Sequence, residues 1–173
     1  MKFTTFLQIG LMSFLLPNYT VIANDSDSEH QFTVYLVRHA EKVLEQKNPP
    51  LTPCGLKRAE QLAVILEQAN IKAIYSTEFT RTEQTAAPLA NKLNLEVQPY
   101  SPRKLESFAA KIKQEKQNVV IVGHSNTTPQ LTAFVANTLV KNITEKEYQM
   151  LYQVKFSGGN AQLTLLKQPL SCQ

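Results

Sequence analysis

Residues 32–42 have the sequence FTVYLVRHAEK. The first six are mostly β-branched, aromatic or aliphatic, and such a run predicts a buried β-strand. The apolar run stops abruptly at Arg38 and His39, so the strand would deliver a guanidinium and an imidazole side by side to the carboxyl edge of a sheet. Because open α/β sheets bind ligands at that edge, these residues predict the location of a functional site as well as a strand.

Two later stretches end in the same way. An apolar run over residues 71–75 leads to Arg81 at the start of a predicted helix, and residues 119–122 lead to Gly123 and His124. For any one of these stretches alone, a strand end with solvated charges is an alternative, as is a satisfied core histidine for His124. Taken together, they predict one anion-binding pocket with two arginines and two histidines: Arg38, His39, Arg81 and His124.

Both residue types suit phosphate chemistry. The planar guanidinium group can pair with two phosphate oxygens at once, which makes Arg38 and Arg81 the candidates for phosphate binding. A neutral imidazole can attack phosphorus and hold the phosphoryl group covalently. Its ordinary pKa of about 6.5 leaves much of it unprotonated near neutral pH.

In order and spacing, these motifs resemble the histidine phosphatase superfamily, in its phosphoglycerate mutase-like branch. The matching segments are Arg38-His39 after the first strand, Ser76 through Arg81-Thr82 to Thr85, and Gly123-His124 after a late strand. The resemblance implies that His39 is the nucleophile that carries the phosphoryl group. It also implies that His124 is protonated or donates a hydrogen bond to the transferring oxygens. The N–H groups of the helix after Ser125-Asn126 would face the same anion.

The chain departs from the mutases of this family. Residues 95–118 contain no glycine and so lack the mutase-type Glu-x-x-x-Gly stretch, and the long insertion that encloses mutase substrates is missing. A small phosphatase is therefore expected rather than a mutase. The general acid is left unassigned: Glu106 lies on a predicted helix, Glu41 beside the Arg-His pair is a candidate, and a good leaving group would need no strong acid.

These observations predict a metal-independent phosphatase that hydrolyses a phosphomonoester or a phosphoramidate through a phosphohistidine on His39. The substrate would be small and phosphorylated, with a sugar, a lipid-linked phosphate and a protein phosphate all left open. The alternative is a non-catalytic phosphoanion-binding module of the same fold. Because the chain has three histidines and no His-x3-His pair, neither a metal site nor a cofactor is expected.

Length and composition fit one globular domain. The 173 residues suffice for a single sizeable core. The net charge of +4 is mild, and the lysines and arginines form no long run, so no nucleic-acid surface is expected. Strand and helix patterns alternate through most of the chain, which predicts a three-layer α/β/α sandwich with a mostly parallel central sheet. A C-terminal β-hairpin is predicted around Ser157-Gly158-Gly159-Asn160.

Local signals place several helices. Helix starts are predicted at Thr52-Pro53, Ser101-Pro102 and Thr128-Pro129, where a capping residue precedes a proline. Capping boxes are predicted for Thr80 with Glu83 and for Thr144 with Glu147. Apolar periodicity assigns Leu56 and Leu139, among others, to the core-facing sides of helices.

Residues 1–23 have the outline of a secretory signal peptide. Lys2 precedes an apolar core over residues 6–16, Pro17 breaks that core, and Val21-Ile22-Ala23 places small or aliphatic residues before a cleavage site. The core is shorter than the roughly 20 apolar residues of a spanning helix, and an uncleaved N-terminal anchor is the alternative. The prediction is a periplasmic or secreted protein, with one domain over residues 24–173 and no stable membrane anchor after cleavage. His30, in the polar leader, is expected to be a solvated bystander.

The chain has two cysteines, Cys54 in a predicted first helical turn and Cys172 next to the last residue. An even count fits a disulfide in an oxidising compartment. The alternative is that Cys54 is a small buried residue and Cys172 is unpaired.

Overall fold

The computed structural model describes Met1 and residues 31–171. The rest of the predicted signal peptide, His30 and Cys172 lie outside the described residues. In chain order the elements are β1 (Phe32–Arg38), α1 (Pro53–Leu66), β2 (Ala73–Ser76), α2 (Thr80–Leu93), β3 (Val97–Pro99), α3 (Leu105–Glu115), β4 (Val119–Gly123), α4 (Thr127–Ala136), β5 (Met150–Ser157) and β6 (Asn160–Lys167).

The six strands form one sheet in the order β3-β2-β4-β1-β5-β6. The first four of these run parallel to one another, whereas β5 is antiparallel to β1 and β6 is antiparallel to β5. The predicted α/β fold with a mostly parallel sheet and a C-terminal hairpin is therefore confirmed. Gly158 and Gly159 adopt φ values of 56° and 82°, which a two-residue turn between paired Ser157 and Asn160 requires.

The helices cover the sheet on both faces. Side chains alternate along β1, so that Leu36 packs in the cluster that holds Phe108 of α3, whereas Val37 packs in the cluster that holds Leu62 of α1. Burial of each such leucine stabilises the fold by about 1.5–3 kcal/mol. Because both faces are buried, a shift of one residue in register would exchange the two clusters, and this fixes which strand ends meet.

One of the proline-marked helix starts is reproduced as predicted, and another is wrong. Thr52 caps α1, because its side chain accepts the Gly55 N–H at 3.0 Å. The helix predicted from Ser101-Pro102 instead begins at Leu105. The Ser101 hydroxyl accepts the Arg103 N–H at 3.3 Å, and the turn formed there delays the helix.

The two predicted capping boxes also differ from the structure. Thr80 is the first residue of α2 rather than its cap, and its N–H donates to the Asn48 side chain at 3.1 Å. The Glu147 carboxylate accepts the Thr144 N–H at 2.7 Å, as in a capping box, but the segment is a turn and not a helix. A side chain from another loop replaced the local cap in the first case.

Two leucines assigned to buried helix faces are exposed. Leu56 is 48% exposed, because the buried stripe of α1 runs through Gly55, Ala59 and Leu62 instead. Leu139 is 98% exposed, because α4 ends at Ala136 and Asn137 turns the chain away in a left-handed conformation. The helical period is correct for both helices, but the predicted buried face of α1 is rotated and the predicted end of α4 lies too far along the chain.

Within the described residues, no helix is long and apolar enough to cross a membrane. Cys54 is disulfide-bonded. Its predicted partner Cys172 lies outside the described residues, so the pairing of these two cysteines stays a prediction.

Candidate active site

The carboxyl ends of β1, β2 and β4 lie next to one another. Arg38 pairs with Gly123 in the parallel register, and the His39 N–H donates to the Gly123 carbonyl at 2.9 Å. This register brings together the residues that follow the two strands. The imidazoles of His39 and His124 meet edge to face, with their centroids 5.6 Å apart.

Gly123 makes this approach possible. A Cβ atom at this position would lie 2.7 Å from the Tyr100 hydroxyl oxygen and 3.0 Å from Thr128 Oγ1. Both distances are shorter than a carbon normally allows, so a side chain here would displace the end of β4 or the start of α4. The glycine therefore sets the position of His124.

His39 is buried, and its hydrogen bond fixes its tautomer. Nδ1 lies 2.8 Å from the Ala40 carbonyl oxygen, which can only accept, so Nδ1 carries the hydrogen and Nε2 keeps its lone pair. Burial lowers the pKa of His39 to about 3, and the charges of Arg38 and Arg81 act in the same direction. The bond to Ala40 raises the pKa by less. His39 is therefore a neutral imidazole at neutral pH.

His124 is held between a donor and an acceptor. Its Nδ1 lies 3.3 Å from an Arg81 NH2 group, which can only donate, so Nε2 carries the hydrogen and donates to Thr77 Oγ1 at 3.0 Å. Burial, followed by the charges of Arg81 and Arg38, lowers the pKa of His124 to about 4. His124 is therefore neutral at neutral pH and acts as a hydrogen-bond donor through Nε2.

Arg81 lies in the first turn of α2. The Thr82 hydroxyl fixes this turn through the Thr77 and Phe79 carbonyl oxygens, each at 2.8 Å. The Arg81 guanidinium stacks over the Phe79 ring, with its carbon 4.6 Å from the ring centroid. These contacts direct a rigid, planar cation towards the two histidines.

Arg38 is placed differently from Arg81. Its side chain is fully buried, its NH1 group donates to the Thr144 carbonyl at 3.0 Å, and its NH2 group contacts Glu145 Oε2 at 2.6 Å. The guanidinium also stacks on Tyr148, with its carbon 4.0 Å from the ring centroid. The segment between α4 and β5 therefore closes over this arginine.

A pocket of about 400 Å³ opens in front of these groups. Its lining includes both histidines and Arg81, and it includes Glu145 but not Arg38. Asn126 and Thr127 at the start of α4 form part of its wall, so the N-terminus of that helix faces the pocket. Lys42 and Arg103 also line it. Such a set of donors and cations can bind a tetrahedral anion.

Glu41, the sequence-based candidate for the general acid, lies outside this pocket. Its carboxylate accepts hydrogen bonds from Arg58 Nε and NH2 of α1 at distances of 2.6–3.0 Å. Both residues line a separate depression near the end of the chain. Glu106 lines a groove between α3 and α4 and is also remote from the histidines. The structure thus brings Arg38, His39, Arg81 and His124 together and leaves both acidic candidates outside.

Glu145 is a pocket residue that no sequence pattern indicates. It lies in the pocket and contacts both Arg38 and the Ser125 hydroxyl. The capping-box pattern at Thr144 predicts a short turn of helix in this segment, but no motif connects the segment with β1. Within the described residues, no group of three or more histidine, cysteine or acidic side chains has the arrangement of a metal site.

Comparison with known proteins relates the chain to one family. The family model of the histidine phosphatase superfamily (branch 1) matches residues 34–101, which include Arg38, His39 and Arg81. A Proteus mirabilis protein named "Probable phosphoglycerate mutase GpmB" is 37% identical over 71 residues. That match covers 37% of this chain and 33% of the relative, so the chain spans about a third of the relative's length.

Two solved structures show the same fold. The protein histidine phosphatase SixA, complexed with tungstate, has a TM-score of 0.63 at 18% identity, over 79% of this chain and 97% of that one. The alpha-ribazole phosphatase from Shigella flexneri has a TM-score of 0.65 at 15% identity, over 82% of this chain and 99% of that one. The fold thus extends well beyond the residues that the family model matches.

Proposed function

Because the chain belongs to the histidine phosphatase superfamily, we propose that it is a metal-independent phosphatase that works through a phosphohistidine on His39. The observation that carries the proposal is the tautomer of His39. Its Nδ1–H donates to the Ala40 carbonyl, which leaves the lone pair of Nε2 available beside Arg81 and His124. Burial keeps this nitrogen unprotonated at neutral pH, so it is ready to attack phosphorus.

The reaction would proceed in two displacements. In the first, the Nε2 lone pair forms a bond to phosphorus, and the bond from phosphorus to the leaving oxygen or nitrogen breaks with its electron pair. The leaving group takes a proton from solvent. In the second, a water oxygen attacks the phosphoryl group, loses its proton to solvent, and the P–N bond breaks to restore His39.

The surrounding donors would stabilise the transferring oxygens. Arg81 offers a planar fork, and the start of α4 offers backbone N–H groups. His124 can turn its Nε2–H from Thr77 to a phosphoryl oxygen. Negative charge in the pocket would raise the pKa of both histidines, so a bound phosphate would favour the protonated form of His124.

The chemistry of the pocket supports a small phosphorylated substrate and does not decide among sugar, lipid-linked and protein phosphates. Lys42 and Arg103 add positive charge to the wall of the pocket. Within the described residues neither forms an ion pair, so both can attract an anionic substrate. Phosphate esters and phosphoramidates with good leaving groups suit a pocket whose acidic residue is paired with an arginine.

The proposed compartment is the periplasm or the exterior. The signal-peptide pattern of residues 1–23 supports this assignment. The disulfide-bonded state of Cys54 also supports it, because such bonds persist mainly in oxidising compartments.

Hydrolysis of p-nitrophenyl phosphate by the purified exported protein tests the activity. We expect turnover that EDTA does not reduce, and a fall in kcat of at least about 10³-fold in His39→Asn. The matched control is His30→Asn, which changes the histidine of the polar leader and should leave kcat unchanged.

Loss of activity in EDTA, or near-normal kcat in His39→Asn, would contradict the proposed mechanism. If the protein binds inorganic phosphate but hydrolyses none of a panel of aryl, sugar and protein phosphates, it is a phosphoanion-binding module instead.

A further inference from the structure

The contact between Arg38 and Glu145 joins a buried cation to an exposed anion. The Arg38 side chain has no exposed surface, whereas the Glu145 side chain is 71% exposed. One carboxylate oxygen lies 2.6 Å from the Arg38 NH2 group, and the other accepts a hydrogen bond from the Ser125 hydroxyl. Because Glu145 lines the pocket and Arg38 does not, the carboxylate lies between the arginine and the pocket.

A carboxylate and a phosphoryl group bind a guanidinium in the same way. Each presents two oxygens to the planar N–H groups of arginine. Ser125, the second donor to Glu145, is also a pocket residue and would equally donate to a phosphate oxygen. Glu145 thus occupies two donors that a bound phosphate would need.

Glu145 is charged in the free protein. The hydrogen bond from Ser125, together with the charge and hydrogen bond of Arg38, holds the pKa of Glu145 below that of an ordinary glutamate. A second anion at this position would meet electrostatic repulsion, so phosphate and the carboxylate exclude each other on Arg38.

The carboxylate can leave without unfolding the segment that carries it. The turn is held by the Thr144 carbonyl on Arg38 NH1 and by Glu147 on the Thr144 N–H. Neither bond involves the side chain of Glu145. An exposed side chain of this kind can rotate into solvent while its backbone stays in place.

We propose that the Glu145 carboxylate competes with the substrate phosphoryl group for Arg38 and Ser125, and so sets how strongly an anion must bind to enter the site. This inference rests on the proposed function only in that the pocket binds phosphate. In the free protein the Glu145 carboxylate neutralises Arg38. When substrate binds, its phosphoryl oxygens replace that carboxylate on Arg38. Weakly bound anions would fail to complete that exchange, which makes Glu145 a determinant of anion affinity.

Inorganic phosphate binding, measured by isothermal titration calorimetry at neutral pH, tests the exchange without turnover. We expect Glu145→Gln to bind phosphate about fivefold more tightly than the wild type, because a neutral amide holds a guanidinium less strongly than a carboxylate does. Glu145→Ala should bind at least as tightly as Glu145→Gln. The matched control is Glu78→Gln, which removes one exposed negative charge next to Phe79 and should change the Kd less than about twofold.

Kinetics give a second readout. With p-nitrophenyl phosphate, Glu145→Gln should lower KM by a similar factor and change kcat less. An unchanged or higher Kd for phosphate in both Glu145 variants would overturn the inference. A fall in kcat at constant KM would also overturn it, because Glu145 would then act on the chemical step. Tighter phosphate binding in a protein that shows no hydrolysis would support the competition and reject the phosphatase.

Discussion

Among the residues that the structure describes, two arginine–glutamate pairs share the same donor chemistry but differ in the exposure of the carboxylate. In the pair of Arg58 with Glu41 the side chains are 5% and 15% exposed, and Arg58 also donates to the Leu170 carbonyl at 3.1 Å. In the pair of Arg38 with Glu145 they are 0% and 71% exposed. The first pair joins α1 to the segment after β1 and to the end of the described chain. The second lies at the pocket.

The difference in exposure separates a structural ion pair from an ion pair that another anion can displace. A largely buried carboxylate cannot leave its arginine without taking its negative charge away from a buried guanidinium, so the pair of Arg58 with Glu41 is structural. An exposed carboxylate loses little free energy when it leaves its arginine for water, so another anion can replace it on the arginine. Exposure of the acidic partner, and not the length of the contact, distinguishes the two.

Removal of the carboxylate from each pair should separate the two roles most clearly. We expect Glu41→Gln to lower the free energy of unfolding by about 3 kcal/mol, because the buried Arg58 guanidinium then loses the charge of the carboxylate that it contacts. Glu145→Gln should lower it by less than about 1 kcal/mol, because water can replace the exposed carboxylate. Urea denaturation followed by circular dichroism measures both. Equal losses of unfolding free energy in Glu41→Gln and Glu145→Gln would show that the exposure of the carboxylate does not distinguish the two pairs.

The free energy of unfolding at acid pH tests the buried state of His39 in the pocket, and the expected effect is smaller than that of Glu41→Gln. The pKa of His39 falls from 6.5 in the unfolded chain to about 3 in the folded protein. Above pH 6.5 both states carry a neutral imidazole; as pH falls below that value, the unfolded state binds protons first and stability is lost. Between pH 6.5 and pH 5 this lost stability should amount to about 1.7 kcal/mol.

Denaturant unfolding of the wild type and His39→Asn across this pH range isolates the contribution of His39. The wild type should lose more stability than the variant as the pH falls. The same slope in both proteins would mean that His39 titrates as in an unfolded chain, and the argument for a neutral nucleophile in acid would fail.

The sheet and four of the site residues could be predicted from sequence because their signals are local. A β-branched and aromatic run that ends in Arg38 and His39 predicts both the strand and the position of its charged end. The same holds for Gly123 and His124 after β4. Parallel pairing then brings separate strand ends to one edge without any further information.

Glu145 could not be predicted because its role depends on a contact 107 residues away in the chain. An exposed glutamate in a loop has no pattern that separates it from other solvated residues. Glu41 was the candidate instead because it lies near the Arg-His pair in sequence. Its carboxylate is held by Arg58, an arginine that the helical pattern of α1 does not identify as a partner.

Errors at the helix ends have a similar cause. The signal at Ser101-Pro102 is compatible with a turn as well as with a helix start, and the structure uses the turn. The phase of the α1 stripe depends on Gly55, because a Cβ atom there would lie 2.2 Å from the Glu41 carbonyl oxygen. That close approach of two backbones cannot be recognised from apolar periodicity alone.

Trapping the phosphoryl group on the protein tests the proposed phosphohistidine on His39 directly. Brief incubation with radiolabelled p-nitrophenyl phosphate, an alkaline quench and peptide mass spectrometry would locate it. We expect an acid-labile, alkali-stable adduct on His39 that is present in the wild type and in Glu145→Gln and absent from His39→Asn. An acid-stable adduct, or a label that persists in His39→Asn, would contradict the proposed phosphohistidine.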